Sequence, residues 1–325
     1  MHLPGLVYEL TFNTAGNQFL LRPCRESTEL VLGVIGRALH LFPSIVLHTL
    51  NPLSTHFTAL ISAGIPSELS DFVCHIKNNI NRELTALHKL DRGLGFWERR
   101  RARLILVAPD EASLESRFRY SLAQGTKEDL IEHPFDWPGP TSARATAEGF
   151  ALTGWWFDRT KESEARARGE RFSKHKYATK YRIDFTPLPN WAGKDEETWR
   201  EHVRAVVEEI AETERVRRGD KKVFGAAAVT AFAPTHRGRG PEKSLAPICG
   251  PEKSLAPICH AIGKRLFDAV RSVLVGYWEA FLEASDSARH GDGSIPYPPY
   301  AYPAALPMTL APRALEPIVQ FAHLD

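Results

Sequence analysis

The chain opens with an α+β domain of the split βαβ, or ferredoxin-like, kind: a four-stranded antiparallel sheet with helices on one face. Two observations predict it. Over roughly the first 130 residues the apolar pattern switches between the period of two expected for strands and the 3.6 period of helices, in the order β-α-β-β-α-β-α. The second and third strand signals are separated only by "NPLS", a hairpin-length connection.

Each element has its own warrant. "VYELTFNT" (7–14) alternates and ends at the turn "AGN". Residues 27–42, "STELVLGVIGRALHLF", begin with capping-type Ser27 and Thr28 and carry apolar residues at helical spacing. "SIVLHTL" (44–50) and "THFTALISA" (55–63) form the hairpin. In the segment beginning "PSELSDFVCHIK", Leu69, Phe72, Val73, Ile76, Ile80, Leu84 and Leu87 make one long helical stripe. "ARLILVA" (102–108) reads as a short buried strand. A helix with Pro109, Asp110 and Glu111 in its first turn follows and is expected to stop at Gly125.

Residues 134–148, rich in Pro, Gly and small side chains, mark a boundary, dividing the chain into 1–142 and a mainly helical C-terminal extension, 143–325. The extension starts with a basic, aromatic-interrupted segment (157–182) in which Glu162, Glu164 and Glu170 neutralise part of the charge. A charged helix at 194–218 has a stripe of Trp199, Val203, Val206, Val207 and Ile210, and a last helix precedes the Pro- and Tyr-rich tail. "GPEKSLAPIC" (240–249) recurs unchanged as 250–259, too short and Pro-rich for a solenoid, and reads as a duplicated loop.

Composition sets outer bounds. A hydrophobic share of 43% and a charged share of 25% suffice for a buried core. A net charge of +2 restricts any nucleic-acid surface to a local patch. The four cysteines have no CxxC spacing, which argues against a thiolate zinc site or a disulfide framework and fits a reducing cytoplasm. The start lacks the pattern of a signal peptide, and no apolar run approaches ~20 residues, so no membrane span is expected.

The chemistry-bearing residues are few. His56 and Thr58 point to one face of a strand, and Tyr120 and Gln124 share one face of a helix. A tyrosine hydroxyl can attack a phosphodiester polarised by a divalent cation, and a glutamine carbonyl and an imidazole can hold that cation. The plain alternative is a surface Tyr–Gln pair and an ordinary strand histidine. Arg99, Arg100, Arg101 and Arg103 beside Phe96 and Trp97 fit single-stranded DNA, with phosphates on arginine and bases on rings, or else a solvated basic strand end.

Taken together, "PGLVYELTFNTAGNQFLLRP", "LSTHFTALIS", "FWERRRARLILV" and "RYSLAQGTKEDLIEHPFDWPG" resemble the REP-associated tyrosine transposases, of the single-tyrosine HUH transposase superfamily, over roughly residues 4–142. Weaker similarity continues through "GWWFDRT" and "LAPICHA". The resemblance implies a nucleophile at Tyr120 and Mg²⁺ or Mn²⁺ held by His56 and Gln124. It also implies single-stranded or hairpin DNA as partner, cleaved and rejoined through a 5′-phosphotyrosine. The family's second histidine falls on Thr58, its usual Asn before the first histidine on Thr55, and its paired first-strand arginines on Phe12 and Asn13. A hydroxyl is a poor ligand beside imidazole, so the metal is expected to be weakly held or absent. His48 on the neighbouring strand is either a substitute ligand or a core histidine. The rival reading is a domesticated descendant that binds hairpin DNA without cutting it. An RNA-binding module is disfavoured because the first and third strands lack the aromatic-rich sheet motifs used for stacking.

Overall fold

A computed structural model describes residues 3–91, 95–98, 102–237, 258–291 and 295–301. Among these, the first half contains β1 (Val7–Asn13), α1 (Arg25–Leu41), β2 (Ile45–Leu50), β3 (His56–Ala63), α2 (Pro66–Leu87), β4 (Arg103–Val107) and α3 (Glu111–Lys127). The second half contains α4 (Ser142–Glu148), β5 (Leu152–Phe157), α5 (Arg159–Ala167), β6 (Ala178–Ile183), α6 (Glu196–Arg218), α7 (Ala226–Ala231), β7 (Ile258–His260) and α8 (Lys264–Arg289).

The main sheet runs β2-β3-β1-β4-β7. Its first four strands are antiparallel neighbours, and β7 adds to β4 in parallel. The sheet is therefore mixed α+β in context and five-stranded, one strand more than the sequence pattern predicts. The extra strand comes from the end of the duplicated segment, which was expected to be loop. β4 would otherwise present an open row of N–H and C=O groups, and residues 258–260 close it, with Ala108 N–H donating to the His260 carbonyl at 2.8 Å.

Strand alternation sorts the sheet's side chains onto two faces. Leu10, Phe12, Phe57, Ala59 and Ile61 pack under α1 and α2, against Val34, Ile35, Leu69, Phe72, Ile76 and Ile80. Val7, Leu60 and Val107 face the other way, onto Leu114, Phe118 and Leu122 of α3, which α6 covers with Trp199, Val203, Val206 and Val207. Helices thus lie on both faces, not on one, because α3 crosses back under the sheet after β4.

β5 and β6 form a separate antiparallel ribbon on the outer side of α1. The approach is close enough to require glycine: a Cβ on Gly33 would sit 1.9 Å from the Trp155 carbonyl oxygen, and one on Gly36 2.5 Å from Tyr181 Cβ. The α6 stripe is buried as its periodicity predicts. The segment 134–148 holds a 3-10 turn and α4, whose Ser142, Ala143, Ala145 and Ala147 are buried.

Two helix ends differ from the sequence expectation. α1 begins at Arg25, and Ser27 does not cap it; its hydroxyl donates back to the Arg22 and Cys24 carbonyls. α3 runs through Gly125 to Lys127. Gly125 is there for space: a Cβ would lie 2.9 Å from Ile131 Cδ1, where the chain folds back on the helix.

Candidate functional site

A cavity of about 410 Å³ opens between α3 and the strands β1, β3 and β4. His56 and Thr58 reach it from β3, since both occupy the alternation positions that face α3. Their register partners on β1 are Asn13 and Thr11, which also line it. Arg103 enters from β4, and Tyr120 and Gln124, one helical turn apart, from α3. The structure therefore brings His56, Thr58, Arg103, Tyr120 and Gln124 together on one face of the sheet.

The polar contacts orient these groups. The Gln124 amide nitrogen donates to the Tyr120 carbonyl at 3.3 Å, which turns Oε1 toward His56, 3.3 Å from Nε2. The other ring nitrogen, Nδ1, lies 3.1 Å from the Thr55 hydroxyl and 4.0 Å from a Glu128 carboxylate oxygen. With the proton on Nε2 the ring donates to Gln124 and accepts from the Thr55 hydroxyl at Nδ1; with the proton on Nδ1 it points toward Glu128 and leaves the Nε2 lone pair free for an ion. Thr58 beside it is buried.

Tyr120 is half-buried with positive charge against its ring: the Arg117 guanidinium is 5.0 Å and the Lys127 ammonium 4.9 Å from the centroid. Arg117 is held by Glu9, 3.1 Å away. Glu9 is 4% exposed, and burial pushes its carboxyl above the ordinary carboxylate range while Arg117 pulls the other way. The Glu128 carboxyl is likewise raised by desolvation against the opposing pull of His56 and Lys127.

Glu9, Arg117 and Glu128 line the site without having been singled out from sequence. Glu128 follows Gln124 by one turn, so Tyr120, Gln124 and Glu128 form an i, i+4, i+8 row. Ending the helix at Gly125 hides that row. Glu9 stands two residues before Thr11 on the same strand face, and alternation alone would have found it.

Among the described residues, His56 and Gln124 place two donors side by side in a way that suits a divalent cation. His56 Nε2 and Gln124 Oε1 are 3.3 Å apart, close to the ~3 Å expected of neighbouring ligands at ~2.1 Å and a right angle. Both are neutral, however, and the nearest carboxylate approaches the opposite ring nitrogen. Among the described residues no group of three His, Cys, Asp or Glu side chains could hold a metal ion. The fit is to a loosely held ion completed by water or substrate oxygens.

Other sequence candidates lie elsewhere. His48 is a core histidine: buried, with Nδ1 at 3.0 Å from the Thr186 carbonyl and Nε2 at 3.1 Å from the Ser62 hydroxyl, it does not line the cavity. Trp97 packs edge-on against Phe12 and Phe96, and its N–H donates to the Lys77 carbonyl at 2.9 Å, so its ring is committed to the protein. Arg99, Arg100 and Arg101 lie outside the described residues.

No family model matches the chain, and no curated protein matches it. A solved structure described as "Structure of the REP associates tyrosine transposase bound to a REP hairpin" is similar at 16% identity and a TM-score of 0.37. The match covers 46% of this chain and 84% of that one. A likeness that distant carries no argument about this chain's chemistry.

Proposed function

We propose that this chain is a tyrosine-transposase-like protein that binds hairpin DNA and cleaves and rejoins a single strand beside it through Tyr120. The observation that carries the reading is the convergence of Tyr120, Gln124 and His56 on one cavity. These residues come from a helix and a strand more than 60 positions apart and are the ones the family resemblance singles out. The strand order β2-β3-β1-β4, with β3 lying between β1 and β2, supports a ferredoxin-like core for the same reading.

In this mechanism a phosphodiester lies against Tyr120, its charge met by Arg103, Arg117 and Lys127. The phenol oxygen attacks phosphorus as the P–O3′ bond breaks, giving a 5′-phosphotyrosine, while the phenol proton passes to solvent water and the leaving 3′ oxygen takes one up to become a free 3′-hydroxyl. His56 and Gln124 would hold Mg²⁺ or Mn²⁺, whose contribution when bound is to polarise the phosphate. Glu9 keeps Arg117 aimed along the cleft. Thr58, standing where the family has its second histidine, favours weak metal binding and slow chemistry, and in the limit the rival reading of a hairpin binder that no longer cuts. Both readings require DNA in this cleft. Photocrosslinking a hairpin oligonucleotide carrying 5-iododeoxyuridine, followed by peptide mapping, should label peptides of β3 or α3. Crosslinks found only outside the cleft would overturn both.

A further inference from the structure

Chain from the second half of the molecule borders the His56 end of the cleft. Asn13 ends β1 and pairs with His56, so the loop that follows it lies at that end. There Phe19 N–H donates to the His236 carbonyl at 2.8 Å, and Gln18 bridges Arg237. On the α3 side, Phe224 N–H donates to the Asp129 carbonyl at 3.1 Å and Gly225 N–H to the Leu130 carbonyl at 2.9 Å, directly after the cleft-lining Glu128. Residues 221–237 thus run from the C-terminus of α3 to the loop after β1, the two elements that bring Glu128 and Asn13 to the cleft.

This stretch gathers rings and free cations. Phe232 packs edge-on against buried Phe19, centroids 5.2 Å apart, and stacks on His236 at 4.4 Å and 15°; Phe224 meets it edge-on at 5.5 Å. Phe19 and Phe232 hold the loop in place, with Arg22, whose guanidinium donates to the Phe232 carbonyl at 3.0 Å. The other two rings reach solvent: Phe224 is 57% exposed, and His236 is exposed. Lys221, Lys222 and Arg237 are exposed and have no carboxylate partner among the described residues. Arg217 is not among these free cations, since Asp129 and Glu214 take it up. Asp220 is the one acidic residue between 217 and 237, so the unpaired charge of the stretch stays positive.

We infer that Phe224 and His236, with Lys221, Lys222 and Arg237, form a stacking platform for the single strand that leaves the cleft, bases lying on the two rings and phosphates on the cations. Single-stranded nucleic acid is the polyanion that uses rings and cations together, because every base has a π face and every linkage a charge. An acidic peptide would meet the cations alone. A lipid surface would need a broader apolar face, and Phe224 is the one large apolar side chain exposed between 217 and 237 among the described residues. The inference rests on the proposed function, since it takes the strand to come from the cleft.

The test measures binding of the full-length chain, by fluorescence anisotropy, to oligonucleotides that share one stem. One is a bare hairpin, one carries about ten unpaired nucleotides on each side, and one carries the same flanks without bases. Phe224→Ala and His236→Ala should each weaken binding of the base-bearing flanked hairpin by about fivefold or more and leave the other two unchanged. Phe224→Tyr keeps the ring and should bind as the unmodified protein does. Lys221→Ala/Lys222→Ala should lower the slope of log K against log salt by about 1.4 on both flanked forms and not on the bare hairpin. Circular dichroism and melting temperatures establish that the variants are folded, and Phe150→Ala, which removes an exposed ring elsewhere, is the control. The two lysines are exposed, so their variant carries the test even where an alanine at 224 unfolds the chain. Flanked-hairpin affinity and slope unchanged in these variants, or affinity lost equally on flanks without bases, overturns the platform and leaves the cleft reading standing. An unmodified protein that binds none of the oligonucleotides overturns both. A Phe224→Ala protein that binds all of them normally but loses affinity for phosphatidylserine vesicles assigns the patch to a lipid surface and overturns the inference.

Discussion

If the cleft acts as proposed, Thr58 is the residue that sets how far the chemistry can go. It points to the same side as His56, is buried, and lines the cavity, so an imidazole at that position would face the same space as His56 Nε2 and Gln124 Oε1 without any backbone change. Thr58→His is expected to tighten Mn²⁺ binding by tenfold or more, read by isothermal calorimetry; an affinity equal to wild type would mean that position 58 does not address the ion. Strand alternation puts His56 with Thr58 and the helical i, i+4 relation puts Tyr120 with Gln124, but that the two pairs meet was implied only by the family resemblance and by no local pattern. The Glu9–Arg117 pair was not legible, because an ion pair between β1 and α3 depends on which strand lies under the helix, and no local pattern encodes that.

α1 depends on glycine where the ribbon crosses it. Gly33→Ala would drive a methyl into the Trp155 carbonyl, a backbone atom that cannot rotate away. Overpacking of this kind costs about 1–3 kcal/mol, and urea unfolding should show a loss at the upper end; a loss below ~0.5 kcal/mol would contradict the close crossing. The long apolar stripes of α2 and α6 were readable because their 3.6 period repeats over several turns. β7 was not: three residues are too few to show a period, and the strand exists because the edge of β4 recruits it. Gly125 misled because glycine signals a helix stop and a close packing contact equally well, and here Ile131 makes it the second.

Stability and binding should respond differently to solution conditions. Burial lowers the pKa of His48, and of His75, His88 and His260, below the ordinary histidine value. A depressed folded-state pKa means that stability is full above about 6.5 and is lost as pH falls through that value toward the folded pKa. The melting temperature should therefore hold steady from pH 8 to 7 and decline below about pH 6.5, with a shallower decline in His48→Gln; a melting temperature that rises on acidification would contradict the buried, neutral imidazole. On the proposed reading, hairpin DNA is held by the cations of the cleft, Arg103, Arg117 and Lys127, so binding should survive EDTA while weakening steeply with salt. Affinity that vanishes with chelation would make the ion, and not the protein's own cations, the main phosphate contact.

The most direct measurement is covalent capture. Wild type, Thr58→His and the two corresponding Tyr120→Phe variants are incubated with a hairpin-bearing oligonucleotide and Mn²⁺, resolved under denaturing conditions, and the adduct is mapped by mass spectrometry. A tyrosine nucleophile in this cleft predicts a DNA adduct on Tyr120 that is faint in wild type, stronger in Thr58→His and absent in both phenylalanine variants. No adduct in either wild type or Thr58→His, or an adduct that persists after Tyr120→Phe, would contradict it.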